Sequence, residues 1–128
     1  MKKRTKFNNQ QHKFNLGKVV VTRGIHALIE KNDVFKRLID ASIRKHHHGL
    51  WGELCDFDRE QNEAALENGE RLMSVYHLEY LPKISGHLAL REKDNKIKVY
   101  IITERVTYDD TKGVSERPAT TILLPMEY

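Results

Sequence analysis

The sequence predicts an α+β fold, with an N-terminal strand and two or three helices packed on a mainly antiparallel sheet of three to five strands. Three observations carry this. In the first half, apolar residues recur at helical spacing: Val34, Phe35, Leu38, Ile39 and Ile43 share a stripe, with Lys36, Arg37, Asp40, Arg44 and Lys45 between them. From Arg71 the period becomes two, Leu72, Ser74, Tyr76, Leu78 and Tyr80 alternating with Met73, Val75, His77 and Glu79. The strands of the second half follow one another over turn-length links, the order that pairs antiparallel. A chain of 128 residues holds one hydrophobic core, so a single domain is expected over 14–128, behind a tail of 1–13.

The elements follow in order. The tail holds Lys2, Lys3, Arg4, Lys6 and Lys13 and no acid. The whole chain has 22 Lys and Arg against 18 Asp and Glu, which leaves the body at 17 basic to 18 acidic. The basic character is therefore terminal: a solvated segment too polar to fold alone or, read functionally, a phosphate-seeking arm. Residues 14–22 read as a strand on Val19, Val20 and Val21. Thr22 is the expected cap of a helix over 25–31, and Asp33 that of the helix over 34–48. His46, His47 and His48 join Arg44 and Lys45 in its last turn, at the negative end of the dipole, and Gly49 stops it. Residues 50–57 form a connector anchored by Leu50, Trp51, Leu54 and Phe57. Asp58 is the expected cap of a short polar helix over 60–68, with Gln61 in the capping-box position and Gly69 at its end. Pro82 closes the strand from Arg71, 84–92 reads as a weaker strand, and 93–96 as a turn. Residues 97–104 make the strongest strand. Residues 105–118, polar and carrying Gly113 and Pro118, read as a loop, and 119–124 is the last strand, stopped by Pro125.

Several classes of protein are excluded by this pattern. No apolar run nears the roughly 18 residues that span a bilayer. The basic start runs into Asn, Gln and His instead of an apolar segment. A cytoplasmic protein without membrane contact is expected. Cys55 alone excludes an internal disulfide and a Cys-rich zinc site. Its carboxylate neighbours disfavour a thiolate, so it reads as a partly buried structural residue. Adjacent helical residues point about 100° apart, so His46, His47 and His48 cannot share one ion, and no metal site is expected. Glu53, Asp56 and Asp58 could hold magnesium, but a helix cap and solvated neighbours account for them. No glycine-rich loop follows a strand, so no nucleotide cofactor is expected either.

The polar residues that interrupt the C-terminal strands mark the candidate site. Ser74, Thr103, Arg105, Arg117, Thr120 and Thr121 are the expected binding residues. In an antiparallel order the end of one strand faces the start of the next, bringing Thr103 and Glu104 toward Thr120 and Thr121. If the chain is an enzyme, Glu104, Arg71, Tyr76 and His77 are the expected catalytic groups. A base and a cation on a sheet face are what a metal-independent ribonuclease needs.

Residues 49–128 carry a resemblance. Trp51-Gly52-Glu53-Leu54, Asp58, Asn62-Glu63, Ala65-Leu66, Gly69, Arg71-Leu72, Ser74 and Tyr76 are its first carriers. Ile102-Thr103-Glu104-Arg105, Thr120 through Pro125 and Glu127-Tyr128 complete it. Together they resemble a family of small proteins of bacterial plasmids and other mobile elements, often labelled plasmid-related protein or type I restriction methylase subunit. The second label does not fit, for want of a nucleotide-cofactor loop. Residues 79–96 and 105–118 are longer here than the family's pattern. The resemblance implies a mobile-element setting and no named activity. A small non-enzymatic binding protein, acting on a host or defence factor or a nucleic acid in a regulatory or anti-defence role, is therefore the preferred expectation. Its partner is a protein or a nucleic acid, with no small-molecule cofactor. A small toxin-like ribonuclease, of the barnase or RelE kind in its order of helices and sheet, is the alternative.

Overall fold

The computed structural model describes residues 12–79 and 96–128. Four of the tail cations, Lys2, Lys3, Arg4 and Lys6, and the weaker strand expected over 84–92 lie outside the described residues. The elements are β1 (Lys18–Val21), α1 (Arg23–Lys31), α2 (Asp33–His47), α3 (Asp56–Asn68), β2 (Leu72–Glu79), β3 (Lys96–Thr103), β4 (Thr107–Asp109), β5 (Val114–Glu116) and β6 (Ala119–Leu123), with a 3₁₀ turn at Pro125–Glu127. This is the expected α+β fold. The main sheet runs β1-β6-β3-β2. Strands β2, β3 and β6 pair antiparallel, and β1 joins β6 in parallel.

The period-two pattern sets the two faces. Leu72, Ser74, Tyr76 and Leu78 of β2 and Ile97, Val99, Ile101 and Thr103 of β3 are all buried. Tyr76, Leu78, Ile97, Val99 and Ile101 meet Ile25 and Leu28 of α1 and Phe35 and Ile39 of α2, with Ile122 and Leu124, in the main core. A smaller core gathers Trp51, Ala65 and Leu72 against Phe14, Leu54 and Leu66. Trp51 is 3% exposed, and its indole N–H donates to Glu63 at 2.9 Å, tying the connector to α3.

Several local expectations are corrected. Asn32 caps α2 in place of Asp33, because its side-chain oxygen accepts the Phe35 N–H at 3.0 Å. Asp33 sits instead in the first turn, where a negative charge suits the helix N-terminus. Helix α3 starts at Asp56, not at Asp58, with Cys55 at the cap position and no side-chain cap bond. Cys55 is exposed, so it is not the partly buried residue expected, since the chain turns outward to begin α3. Thr22 precedes α1, but its hydroxyl donates to Glu127 instead of capping. The loop 105–118 contains the hairpin β4–β5, and the strand expected over 14–22 is formed only at Lys18–Val21.

Helix α3 stands at the β2 edge. The Asn62 side chain donates to the Met73 carbonyl at 2.8 Å and accepts the Met73 N–H at 3.2 Å, taking the place of a neighbouring strand. Further along, Gly52 forms a parallel bridge with Val75. The Val75 N–H donates to the Trp51 carbonyl at 3.1 Å, and the Glu53 N–H to the Val75 carbonyl at 2.7 Å. Only glycine fits at 52: φ is +80°, and a Cβ would stand 2.0 Å from the Val75 oxygen.

Candidate functional site

The polar residues singled out from the sequence divide between the two sheet faces. On the helix side, Ser74, Thr103 and Thr120 meet around His46, and all four are at most 2% exposed. His46 completes the stripe of α2, seven residues after Ile39, and so points into the core. Its Nδ1 lies 2.6 Å from Ser74 Oγ and its Nε2 2.8 Å from Thr103 Oγ1. Thr103 Oγ1 lies 2.6 Å from Thr120 Oγ1, which donates to the Leu16 carbonyl at 2.7 Å.

The last of these bonds fixes the rest. Thr120 gives its proton to a carbonyl, so it accepts from Thr103. Thr103 then accepts from His46 Nε2–H, and Nδ1 accepts from Ser74. Neutral imidazole fits this chain and imidazolium does not. Burial, followed by the positive neighbours His47 and Arg117, pushes the His46 pKa down to about 3. The cluster has the side chains of a hydrolytic site, but each of its hydroxyl and ring protons is already given to a partner and the four side chains are buried.

The remaining expected residues are equally placed. Tyr76 lies on the helix side, its hydroxyl donating to the Leu50 carbonyl. Burial pushes it up to about 12, partly opposed by a bond with Ser74. Arg117 is 5% exposed and donates to the carbonyls of Glu70 (2.7 Å), Glu104 (3.0 Å) and Ala65 (3.2 Å), closing the end of α3. Burial lowers its pKa. Glu104 joins the sheet through its backbone N–H to Ala119, and among the described residues its side chain makes no ion pair or hydrogen bond. Arg105 is exposed and Thr121 half-buried. Lys13 gives its N–H to the His47 carbonyl at 3.1 Å. Of the other two histidines, His47 stacks on His12 with ring centroids 3.9 Å apart, and His48 is the C-cap of α2. Burial first, then His12, lowers the His47 pKa.

The face away from the helices is different. Arg71 Nη2 donates to the Tyr128 hydroxyl at 2.8 Å and its guanidinium lies 5.9 Å from the Tyr128 ring. Tyr128 meets Tyr100 edge to face at 5.6 Å, and Lys98 Nζ stands 5.7 Å from the Tyr100 ring. The result is a strip reading cation, aromatic, aromatic, cation. Beside Lys98 lies its cross-strand partner His77. Arg71, Tyr100 and Lys98 of the strip floor a cleft of about 480 Å³, whose other wall is Glu53, Leu54 and Asp58. His77 Nδ1 lies 3.6 Å from Glu53 Oε1.

Of the expected catalytic four, only Arg71 and His77 share this cleft. They are six residues apart on the β2 line, about 20 Å, so they do not converge on one reacting group. Sequence reading missed Lys98, Tyr100 and Tyr128, and weighed Glu53 only as a magnesium ligand. The signal for the first two was the alternation of β3 itself, with Lys96, Lys98 and Tyr100 opposite the buried Ile97, Val99 and Ile101.

Among the described residues no group of three or more His, Cys, Asp or Glu could hold a metal ion, and no helix is long and apolar enough to cross a membrane. Compared with protein-family models, with curated proteins and with solved structures, the chain matches none of them. Function is accordingly read from the site.

Proposed function

We propose that this chain is a small binding protein that holds single-stranded nucleic acid in the cleft on the outer face of its sheet. The strip Arg71–Tyr128–Tyr100–Lys98 is the observation that carries the reading. Cations interleaved with aromatic rings suit a single strand, since phosphates meet the cations and any base can stack on a ring. The carboxylates of Glu53 and Asp58 keep the phosphates to the strand side of the cleft. The basic tail adds a salt-sensitive attraction of its own. A regulatory or anti-defence role in a mobile genetic element is the setting we propose, on the strength of the resemblance over 49–128.

The test is fluorescence anisotropy of labelled single-stranded 12-mers, RNA and DNA, at low and at physiological salt. Tyr100→Ala should weaken binding by about 1–3 kcal/mol, the worth of one stacked base, with the melting temperature near that of the wild type. Binding of neither oligomer at low salt would sink the reading and leave a protein partner as the occupant of the face.

A further inference from the structure

We infer that the cleft cuts the strand it holds when that strand is RNA, with His77 as the base that frees the 2′-oxygen. This goes beyond holding and rests on the reading that a strand lies along Arg71, Tyr100 and Lys98. The observation behind it is how Glu53 and His77 are brought together. The Trp51-Gly52-Glu53 segment docks on the β2 edge as a backbone bridge, with Trp51 buried beneath it. Glu53 is pinned there by its own N–H on the Val75 carbonyl at 2.7 Å. His77 is the next residue of β2 on the outer face, and its Nδ1 lies 3.6 Å from the Glu53 carboxylate. The docking depends on glycine at 52, because any Cβ would meet the Val75 oxygen. The pair stays open to solvent, His77 36% and Glu53 61% exposed at the side chain, so a ligand can reach it.

The contact at 3.6 Å is an ion-pair distance, longer than a hydrogen bond. Such contacts at catalytic sites often tighten only when substrate is bound. With Nδ1 turned to a carboxylate, Nε2 is the ring nitrogen left to meet a ligand. Lys98 is directly across the ladder from His77, with opposed Cα atoms about 5 Å apart, so its ammonium reaches the same phosphate.

The step balances without a co-reactant. The 2′-hydroxyl proton passes to His77 Nε2 as the 2′-oxygen bonds to the adjacent phosphorus. The bond from phosphorus to the 5′-oxygen breaks, and Lys98 meets the charge that builds on the phosphoryl oxygens. The departing 5′-oxygen takes a proton from the Lys98 ammonium, which solvent restores. The products are a 2′,3′-cyclic phosphate and a 5′-hydroxyl. His77 and Lys98 are the catalytic residues, and Glu53 is a positioning residue.

The test incubates the full chain with a 5′-labelled RNA 12-mer and with its all-2′-deoxy counterpart, and binding of both is followed in parallel by anisotropy. RNA should yield fragments ending in cyclic phosphate, identified by mass spectrometry, while the deoxy strand stays whole. His77→Gln should slow cleavage by about 100-fold or more. Glu53→Gln should lower kcat with little change in KM and displace the pH–rate profile, which a merely structural residue would not do. RNA that is bound by the wild type and remains whole overturns this inference and leaves the binding reading standing. RNA that is not bound overturns both. Cleavage by His77→Gln at the wild-type rate removes His77 from the chemistry and overturns the inference as well.

Discussion

Each face of β2 has a histidine beside polar partners, His46 packed on it from α2 and His77 of the strand itself, and the two are put to opposite uses. On the helix side His46 is locked between Ser74 and Thr103, in a chain that ends on a backbone carbonyl. On the outer side His77 has one carboxylate near one nitrogen and opens to solvent in the cleft. A closed buried network holds the elements that share it in one arrangement: here the end of α2, strands β2, β3 and β6, and the segment at Leu16. An open cluster holds nothing together and keeps its hydrogen-bonding capacity for a ligand. The comparison teaches that residue type does not locate a site; the count of unused donors and acceptors does.

The sharpest way to break this contrast is acid. His46 binds a proton near 6.5 when unfolded and at about 3 when folded. The unfolded chain therefore takes up more protons throughout that window, so stability is full above about pH 6.5 and falls as pH drops toward 3. The span corresponds to on the order of 4–5 kcal/mol. Urea unfolding as a function of pH should show this slope in the wild type and lose it in His46→Asn. A slope that survives the substitution would place the acid sensitivity elsewhere.

Truncation comes next. His46→Ala leaves the Ser74 hydroxyl without its acceptor, an orphaned buried group costing about 1–3 kcal/mol, while Thr103 keeps its bond to Thr120. His77→Ala should shift the unfolding free energy by no more than about 0.5 kcal/mol, as exposed substitutions do. Equal losses in the two variants would erase the distinction between the faces.

A smaller effect lies with Glu127. Burial pushes its carboxyl up, but bonds from the Thr22 hydroxyl and the Leu124 and Gly24 N–H groups more than offset this and leave it below the ordinary carboxylate range. Its contribution is present above about pH 4.5 and disappears as pH falls through the lowered value. Glu127→Gln should flatten the unfolding profile only in that lower region, which separates it from the His46 slope that begins near 6.5. The smallest effect belongs to the tail. Removing residues 1–11 should leave the melting temperature unchanged and bring elution from a polyanion column to lower salt.

Much of this fold was legible because period two assigns each residue to a face without knowledge of its partners. Strands β2, β3 and β6 and the meeting of Thr103 with Thr120 followed from the pattern, and the burial of Trp51 from its size as an apolar anchor of the connector. What was not legible depended on distant register. Nothing local says that the first of three consecutive histidines meets Ser74 and Thr103, although its place on the Phe35–Ile39 stripe points it inward. The β4–β5 hairpin escaped notice because Tyr108 and Val114 are exposed, so its residues lack the alternation that burial imposes. Asn62 reads as one more polar residue on a polar helix. Of the outer site, Arg71 and His77 were marked, but their neighbours Tyr128 and Glu53 arrive from other parts of the chain.

The Asn62 arrangement has a consequence for assembly. A sheet offers two borders at which another chain can add itself, and growth into a filament needs both. Here the β2 border is stoppered at Met73 by an amide that copies a strand, and at Val75 by the connector. Among the described residues no strand pairs with the far side of β1. At Met73 and Val75 no further strand can pair with β2, so growth of the sheet is blocked along that part of this border.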